Sequence, residues 1–539
     1  MLRPNDPVSF TPVTVVARFI LWFILLACCA TPLAWLALCV VRDPGGVING
    51  FSNPYALTLF VKTISLSLAS AVVACALAIF PALAIAASTG AWRVLWRSTL
   101  LVPLLLPTSI LGYGWGEWLE RFHGVPYPQG VLDHLRCVLI LATWLWPVPC
   151  AVMAFTLSHL ERDLVDQARL DGALLRIVTR RVAPAMIAGL ACATLLAGQE
   201  FAVFEMTGIS VLATELRMVF ETGRFSDANN PITLLQGGVS SGAGMAHDQS
   251  VRIARAIGAA TPALICTVGL LWIARRLLQK QRDAFVESSP PARLVWRGQT
   301  TLALLIVMIS LALPVCGLVV SLPRGWHGVQ IVNDLAPQLR TSFALALAVG
   351  CICFALAFAA TVVAQRWVLT LAIISFLVGG QFIAIALLRL FDYDPAWMGD
   401  FSPLRLVLDT DAAVVMAHVA RFAWIPLVAG MSTHGGAYRN LREQAAVEGA
   451  TAWQTAIYII TPRAGPLLLA AAVCCGTLSI TETPAATLLT PDSIVPMMMT
   501  WVHRQQYGPM IELSLVVVVL VAIASIAIQA LVKSLKFEV

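Results

Sequence analysis

Two polar stretches hold the residues of this chain that are best suited to work at a surface. Residues 165–184 read VDQARLDGALLRIVTRRVAP, and residues 442–462 read REQAAVEGATAWQTAIYIITP. Each stretch predicts a short amphipathic helix, a break at a glycine, and a second helix that leads into an apolar run. Neither combines with other residues into a His/Glu or Ser/His constellation. The chemistry that they suit is therefore docking rather than catalysis.

Four residues of the second stretch have a predicted physical role. Glu443 is expected in the first helical turn, where an acid suits the helix dipole. Ala445 permits close packing, Gly449 permits a turn or the close approach of a partner, and Pro462 can begin the next helix. The counterparts in the first stretch are Asp166, Ala168, Gly172 and Pro184. A single copy would equally fit a linker helix on the membrane surface, but two matched copies favour a docking element.

The two stretches belong to a longer internal duplication. Pro184 and Pro462 lie 278 residues apart (462 − 184 = 278), and Gly172 and Gly449 lie 277 apart (449 − 172 = 277). The polar segment QKQRDAFVESSPPARLVWRGQ at 279–299 separates the copies and has the composition of a domain boundary. We predict a first repeat at 1–278, a linker at 279–299 and a second repeat at 300–539.

The composition predicts an all-α integral membrane protein. Hydrophobic residues make up 59% of the chain and charged residues 12%, about half the charge of a soluble domain. Twelve apolar windows are long enough to cross a bilayer. They lie at roughly 14–41, 58–87, 99–116, 137–158, 185–206, 257–278, 301–322, 341–364, 368–391, 412–432, 466–488 and 511–532.

The arginines predict the orientation of these spans. Basic residues concentrate in the segments that are cytoplasmic if the N-terminus is cytoplasmic, as the positive-inside rule requires. Both termini and both polar stretches are then cytoplasmic. Six spans in each repeat make the repeats parallel, related by an axis along the membrane normal. The net charge of +6 thus reflects membrane topology and does not indicate a nucleic-acid partner.

The polar stretches resemble the EAA loop of the membrane subunits of binding-protein-dependent ABC importers. Glu443, Ala445, Gly449 and Pro462 match that pattern, and Gln444 departs from it. In the first copy Ala168, Gly172 and Pro184 match, Asp166 replaces the glutamate, and the spacing from glycine to proline is one residue shorter. The duplicated arrangement is similar to the fused permeases of iron(III), thiamine and phosphonate importers.

This resemblance implies a type I ABC importer permease fold in a bacterial plasma (inner) membrane. Each loop would dock on one copy of a cytoplasmic ABC ATPase, and an external or periplasmic binding protein would deliver a small solute, with iron(III) suggested by the family. The chain itself lacks a Walker A loop, because none of its four lysines follows a glycine. We expect no enzyme activity and no cofactor here, with ATP used by the partner subunit.

Three acids are candidates for the translocation pathway, because ionisable residues at membrane depth favour a water-filled path or a buried partner. They are Glu200 and Glu205 in GQEFAVFE and Glu482 in GTLSITETP. The alternative is a position near the external interface. His418 and Arg421 are possible structural partners of such an acid. The histidines and cysteines form no HExxH or CxxC motif, so no metal site is expected.

Two other classes of protein share some of these features. A twelve-span secondary transporter has the same six-plus-six layout, but the segment 88–98, STGAWRVLWRS, lacks the acid of the commonest such family. A membrane enzyme would need a catalytic constellation.

Between spans five and six, residues 223–250 are predicted to form an external loop rich in Gly, Ser and Asn.

Overall fold

The computed structural model describes residues 12–120, 129–222, 243–284, 298–322, 328–363, 365–392, 407–408, 410–435, 437–490 and 492–534. Over these ranges the secondary structure is entirely helical, with no strand. This agrees with the composition, because a backbone inside a bilayer has no water to bond and an α-helix satisfies its own amides and carbonyls.

Thirteen helices precede the predicted linker. They are α1 (Pro12–Leu25), α2 (Thr31–Arg42), α3 (Pro44–Phe51), α4 (Pro54–Ala87), α5 (Gly90–Leu105), α6 (Thr108–Glu120), α7 (Gln129–Leu145), α8 (Pro147–Ser158), α9 (Arg162–Leu170), α10 (Leu174–Gly198), α11 (Ala202–Met206), α12 (Leu212–Thr222) and α13 (Ala243–Ala284). A π-helical turn at Leu26–Ala30 joins α1 to α2 without a break.

The helices after the linker follow the same order. They are α14 (Gln299–Val307), α15 (Leu313–Val320), α16 (Gly328–Asp334), α17 (Ala336–Val362), α18 (Arg366–Val378), α19 (Gly380–Phe391), α20 (Ala412–Phe422), α21 (Trp424–Ser432), α22 (Ala437–Val447), α23 (Ala452–Gln454), α24 (Thr461–Thr481), α25 (Ala486–Leu489), α26 (Ile494–His503) and α27 (Tyr507–Ser534). A π-helical turn at Met308–Ala312 joins α14 to α15, as in the first span.

Eight helical segments are long and apolar enough to cross a membrane, and the number rises to twelve if each of four bent pairs is one span. All twelve overlap the apolar windows of the sequence, but two of them, Leu174–Gly198 and Ala452–Thr481, begin and end earlier than the predicted windows 185–206 and 466–488. The chain is therefore consistent with a multi-pass membrane protein.

The bent pairs repeat in the two halves of the chain. The helix axis turns by 91° between α5 and α6 and by 95° between α18 and α19. It turns by 40° between α7 and α8 and by 50° between α20 and α21. Two bends of similar size at matching places support the duplication that the sequence spacing predicts.

The described chain packs as two compact units. Unit 1 comprises Met1–Trp35, Leu335–Met497 and Ile523–Val539, and unit 2 comprises Leu36–Asp334 and Met498–Ala522. In unit 1, α1 packs on α17, and Leu21 and Leu25 share a buried core with Val349 and Leu356. In unit 2, α14 packs on α4 and α15 packs on α6. Each unit thus includes the first span of the other sequence repeat, so the repeats 1–278 and 300–539 are not the units of packing.

Within unit 2, α3 and α13 approach each other through glycines. A methyl group added to Gly50 would overlap the carbonyl oxygen of Arg255, and one added to Gly258 would overlap the carbonyl oxygen of Val47. Small residues at such crossings let two backbones touch, which is how helices associate where the solvent is itself apolar.

Two predicted boundaries differ from the structure. Of the predicted loop 223–250, residues 223–242 lie outside the described residues, and α13 already begins at Ala243. The same helix extends to Ala284, into the predicted linker, of which 285–297 are also outside the described residues. Without a proline near either end, adding residues to an existing helix costs little.

The glycine crossing gives a test of the packing. We expect Gly258→Val to lower the thermal unfolding temperature of the purified protein, because overpacking a crossing costs about 1–3 kcal/mol. The matched control is Gly269→Val on the same helix, since Gly269 has open space around it. Equal unfolding temperatures for the two variants would show that α3 and α13 do not cross here.

Candidate docking site

The second polar stretch folds as two helices joined at a left-handed glycine. Helix α22 ends at Val447, and Gly449 has φ +81°, a conformation that favours glycine. The amide of Ala450 donates to the carbonyl of Ala445 at 2.9 Å, and the amide of Gly449 donates to the carbonyl of Ala446 at 3.1 Å. These two bonds define a Schellman motif, a common way to end a helix.

The first stretch closes in the same way. Gly172 has φ +65°. The amide of Ala173 donates to the carbonyl of Ala168 at 2.9 Å, and the amide of Gly172 donates to the carbonyl of Arg169 at 3.2 Å. In each stretch the left-handed glycine and the alanine whose carbonyl accepts the closing bond from five residues later belong to one Schellman motif. This explains why Ala168 and Gly172, like Ala445 and Gly449, are four residues apart. Ala168 and Ala445 are both buried.

Each stretch presents a large apolar side chain at the tip of its helix. Leu170 is 88% exposed and Val447 is 89% exposed, and they occupy the same position in the repeat (447 − 170 = 277). An aliphatic side chain left almost wholly outside the fold gains nothing for stability. The matched pair is therefore a candidate contact surface for another molecule.

The acids of the stretches lie further along their helices than predicted. Helix α22 begins at Ala437 and α9 at Arg162, so neither Glu443 nor Asp166 is in a first turn, and the dipole argument is wrong. Instead each acid pairs with an arginine four residues earlier. The Nε–oxygen distances are 2.7 Å for Arg439 and Glu443 and 3.6 Å for Arg162 and Asp166. Exposed pairs of this kind contribute little to stability because solvent screens them, so both acids remain available to a partner.

The single-residue difference in spacing between the copies has a local cause. In the first copy Ala173 both closes the Schellman motif and serves as the N-cap of α10, where its carbonyl accepts from Ile177. In the second copy Ala450 closes the motif and Thr451 caps α23, in a capping box with Gln454. Dividing the two roles requires one extra residue.

Pro462 is the second residue of α24, as predicted, but α24 continues the preceding helix without a break. Pro184 lies inside α10, and Pro462 follows a π-helical turn at Thr455–Ile460 that continues α23 into α24. Helix is therefore unbroken over Leu174–Gly198 and over Ala452–Thr481. Because each span begins directly after its glycine, movement of the short helix can pass to the span through one turn.

In unit 1 the short helix is tied to two neighbouring helix ends through Arg442. Its Nη2 donates to the carbonyl of Thr361 at 2.7 Å, and its Nε donates to the carbonyl of Thr433 at 3.2 Å. Both acceptors lie at helix C-termini, of α17 and α21, where carbonyls lack helical partners and a cation is favourable. Burial lowers the pKa of Arg442 from its ordinary value.

His434 bonds to the same end of α17. Its Nε2 lies 3.0 Å from the carbonyl oxygen of Ala360. Burial, and then the charge of Arg442, lower the pKa of His434 to about 4. At neutral pH the imidazole is uncharged and donates to that carbonyl. Sequence reasoning missed this pair, because the first-copy counterpart of Arg442 is the buried Val165 and the repeat comparison selected only matching residues.

The candidate pathway acids lie just beyond the ends of two spans. In unit 2, Glu200 follows α10 and its Oε1 accepts from Thr108 Oγ1 at 2.7 Å and from the amide of Ala202 at 3.1 Å. Glu205 is in α11. In unit 1, Glu482 follows α24, is buried, and pairs with Arg421 at 3.1 Å. The structure brings Glu200 to the bend between α5 and α6.

The bend between α18 and α19 lies over the Glu482–Arg421 pair. A methyl group on Gly380 would come 2.5 Å from Glu482 Oε1 and 3.0 Å from Arg421 Nη1. Gly379, with φ +90°, makes the bend. His418 is buried one turn from Arg421 on α20. The residues that sequence reasoning suggested as partners of an acid are thus collected at one break in the helices.

Comparison with protein-family models, with curated proteins and with solved structures finds no match. Within the described residues no group of three or more His, Cys, Asp or Glu side chains is placed to hold a metal ion.

The Arg442 bonds predict how firmly the short helix is held. We expect Arg442→Gln to raise amide hydrogen exchange over 437–447 about ten-fold or more, since a hydrogen bond to a charged group contributes about 1.5–3 kcal/mol. The control, Arg439→Gln, removes only an exposed pair and should change exchange by about two-fold at most. Mass spectrometry of the purified chain measures both, and equal exchange in the two variants would contradict the tie.

His434 predicts a component of the pH dependence of stability. Its folded pKa of about 4 lies below the ordinary 6.5, so the unfolded chain binds the proton first as the pH falls. The His434 contribution is therefore complete above pH 6.5 and is lost progressively towards pH 4. We expect the unfolding temperature to fall less between pH 7.5 and 5 in His434→Gln than in the unchanged protein. Parallel curves would exclude His434 as the group responsible.

Proposed function

We propose that this chain is the membrane-spanning permease of an ABC importer. In this proposal a separate pair of cytoplasmic ATPase subunits supplies the energy, and an external binding protein delivers a small solute. The two polar stretches, which we term the coupling elements (165–184 and 442–462), dock on the two ATPase subunits. Both then face the cytoplasm.

The observation that carries the proposal is the matched geometry of the coupling elements. Both have a buried alanine, a left-handed glycine, the same two closing hydrogen bonds and an exposed aliphatic tip at Leu170 or Val447. A linker helix on a membrane surface would need none of these to be repeated 277 residues later. Two equivalent docking elements suit a partner that is itself present twice.

The connection to the spans supports a mechanical role. The glycine of each coupling element is followed within three residues by a helix of span length, over Leu174–Gly198 or Ala452–Thr481. Closure of the ATPase pair would move the short helices, and these would tilt the spans between two access states. In unit 1, the Arg442 bonds would carry the same movement to α17 and α21.

The bent pairs and the buried acids supply a place for the solute path. Helices interrupted at membrane depth line cavities in transporters, because unpaired backbone groups are tolerated only there. Glu200 lies at one such break and the Glu482–Arg421 pair at another. A twelve-span secondary transporter would share these features, and it is the second candidate function on that ground. A secondary transporter does not dock on an ATPase, so the exposed Leu170 and Val447 of the coupling elements would have no role in it.

The exposed tips give the sharpest test, because a change there leaves the fold intact. We expect Leu170→Asp and Val447→Asp each to weaken ATPase binding about ten-fold or more, since a charge in an apolar contact carries a desolvation cost. The measurement is vanadate-sensitive ATP hydrolysis that co-purifies with the tagged chain from its own membranes. Leu170→Val and Val447→Leu are the matched controls and should retain it.

Two results would contradict the proposal. One is the absence of co-purifying ATP hydrolysis from the unchanged chain together with solute uptake that a proton ionophore abolishes, which would favour the secondary transporter. The other is full ATPase binding in the double variant Leu170→Asp/Val447→Asp.

A further inference from the structure

Three side chains of unit 1 carry buried N–H groups that the fold does not use. Both ring nitrogens of His418, the Nη1 of Arg421 and the Nε1 of Trp424 are buried and form no hydrogen bond within the described residues. We call these three side chains the donor cluster. His418 is only 1% exposed. A buried polar group without a partner is costly and uncommon in a native protein, so the donor cluster is suited to an acceptor from outside the fold.

Helix geometry and one aromatic ring place the donor cluster at a single bend. His418 and Arg421 are three residues apart on α20, which makes them neighbours on one face of that helix. The ring centre of Phe376 on α18 lies 6.0 Å from the guanidinium carbon of Arg421 and 5.6 Å from the ring centre of Trp424. The donor cluster therefore lies where α18 packs on the bend of 50° between α20 and α21.

Only part of the Arg421 guanidinium is used by its ion pair. Its Nε pairs with the Oε2 of Glu482 at 3.1 Å. A guanidinium has five N–H donors, so this pair fixes the side chain without using Nη1. A methyl group on Gly380 would come 3.0 Å from Nη1, which places this donor directly against the bend between α18 and α19. The donor cluster thus adjoins one of the two breaks that we propose for the solute path.

The corresponding bend of unit 2 is formed without these donors. At the offset of 278 residues (418 − 140 = 421 − 143 = 424 − 146 = 278) the matching pairs are Ile140 with His418, Thr143 with Arg421, and Trp146 with Trp424. The hydroxyl of Thr143 accepts from Trp115 Nε1 at 3.2 Å and bonds to carbonyls of its own helix. An isoleucine and a threonine are therefore enough for a bend of this kind. His418 and Arg421 are not needed to make it.

We propose that the donor cluster binds a negatively charged oxygen group of the solute, either a carboxylate or an oxyanion. Guanidinium and indole N–H groups only donate, and a neutral imidazole donates through one nitrogen, so together they suit an acceptor with several lone pairs. The same groups would repel a bare metal cation. Glu482 offsets part of the charge of Arg421, which favours release, as a transport site requires. The inference rests on the proposed function in one respect, that the bound group belongs to the transported solute.

The test measures binding by the purified full chain in detergent, with no ATPase present. The probes are radiolabelled sulfate, phosphate and citrate, each in equilibrium dialysis. We expect at least one of them to bind, and the double variant Arg421→Gln/Glu482→Gln to weaken that binding about ten-fold or more, because a charge-assisted bond is lost. The double change removes both partners of the pair and so leaves no unpaired buried charge. Because no ATPase is present, a failure here is distinct from a failure of ATPase docking.

Two tryptophans provide a matched pair of variants. Trp424→Phe and Trp146→Phe each remove one buried indole N–H at corresponding bends. We expect Trp424→Phe to weaken anion binding about five-fold, as the loss of one neutral hydrogen bond implies, and Trp146→Phe to leave it unchanged. If the double variant does not fold, this pair decides alone. Absence of binding for all three anions, or equal binding in the Trp424→Phe and Trp146→Phe variants, would overturn the proposal.

Discussion

The main constraint on this chain is that backbone polar groups inside a bilayer must find partners within the protein. An unbroken helix satisfies itself, but each end or bend leaves amides or carbonyls that need another partner. Side chains supply many of them. Thr63 Oγ1 accepts from the amide of Leu212 at the start of α12, and Ser342 Oγ accepts from the amide of Ile494 at the start of α26, both at 3.0 Å. These bonds are placed alike in the two repeats.

The same constraint explains the short helices of the coupling elements. Gly172 and Gly449 end each helix with both closing bonds made inside the chain, so the tip needs no partner for its backbone. What remains exposed is an aliphatic side chain. The two copies differ where a neighbouring helix end has to be satisfied. Arg442 bonds the last carbonyls of α17 and α21 in unit 1, whereas its counterpart Val165 is simply buried.

Much of the fold was predictable from the sequence, because apolar length and the repeat offset are local properties. The twelve windows and the matched Ala–Gly spacing needed only periodicity and arithmetic. Which helices pack together, and which side chains bond to each other, could not be predicted in the same way. Nothing in the sequence showed that α1 packs in unit 1, or that Arg442 reaches Thr361, because those contacts depend on long-range packing.

The errors in prediction also have physical causes. Glu443 was placed in a first turn because the helix was assumed to begin at the motif, but α22 begins at Ala437. Pro462 was expected to begin a helix after a break, and it is the second residue of α24, but a π-helical turn joins α24 to the preceding helix. The role of the acids in a pathway stays a prediction, and their partners, Thr108 for Glu200 and Arg421 for Glu482, follow from bends in other helices.

The proposed function requires that each coupling element contacts one of two copies of the same ATPase subunit. A photoreactive residue placed singly at position 170 or at position 447 tests it directly, since both side chains are almost fully exposed. After irradiation in native membranes, mass spectrometry identifies what is attached. We expect one and the same ATP-binding polypeptide at both positions. Attachment only to lipid, or to different proteins at the two positions, would contradict it.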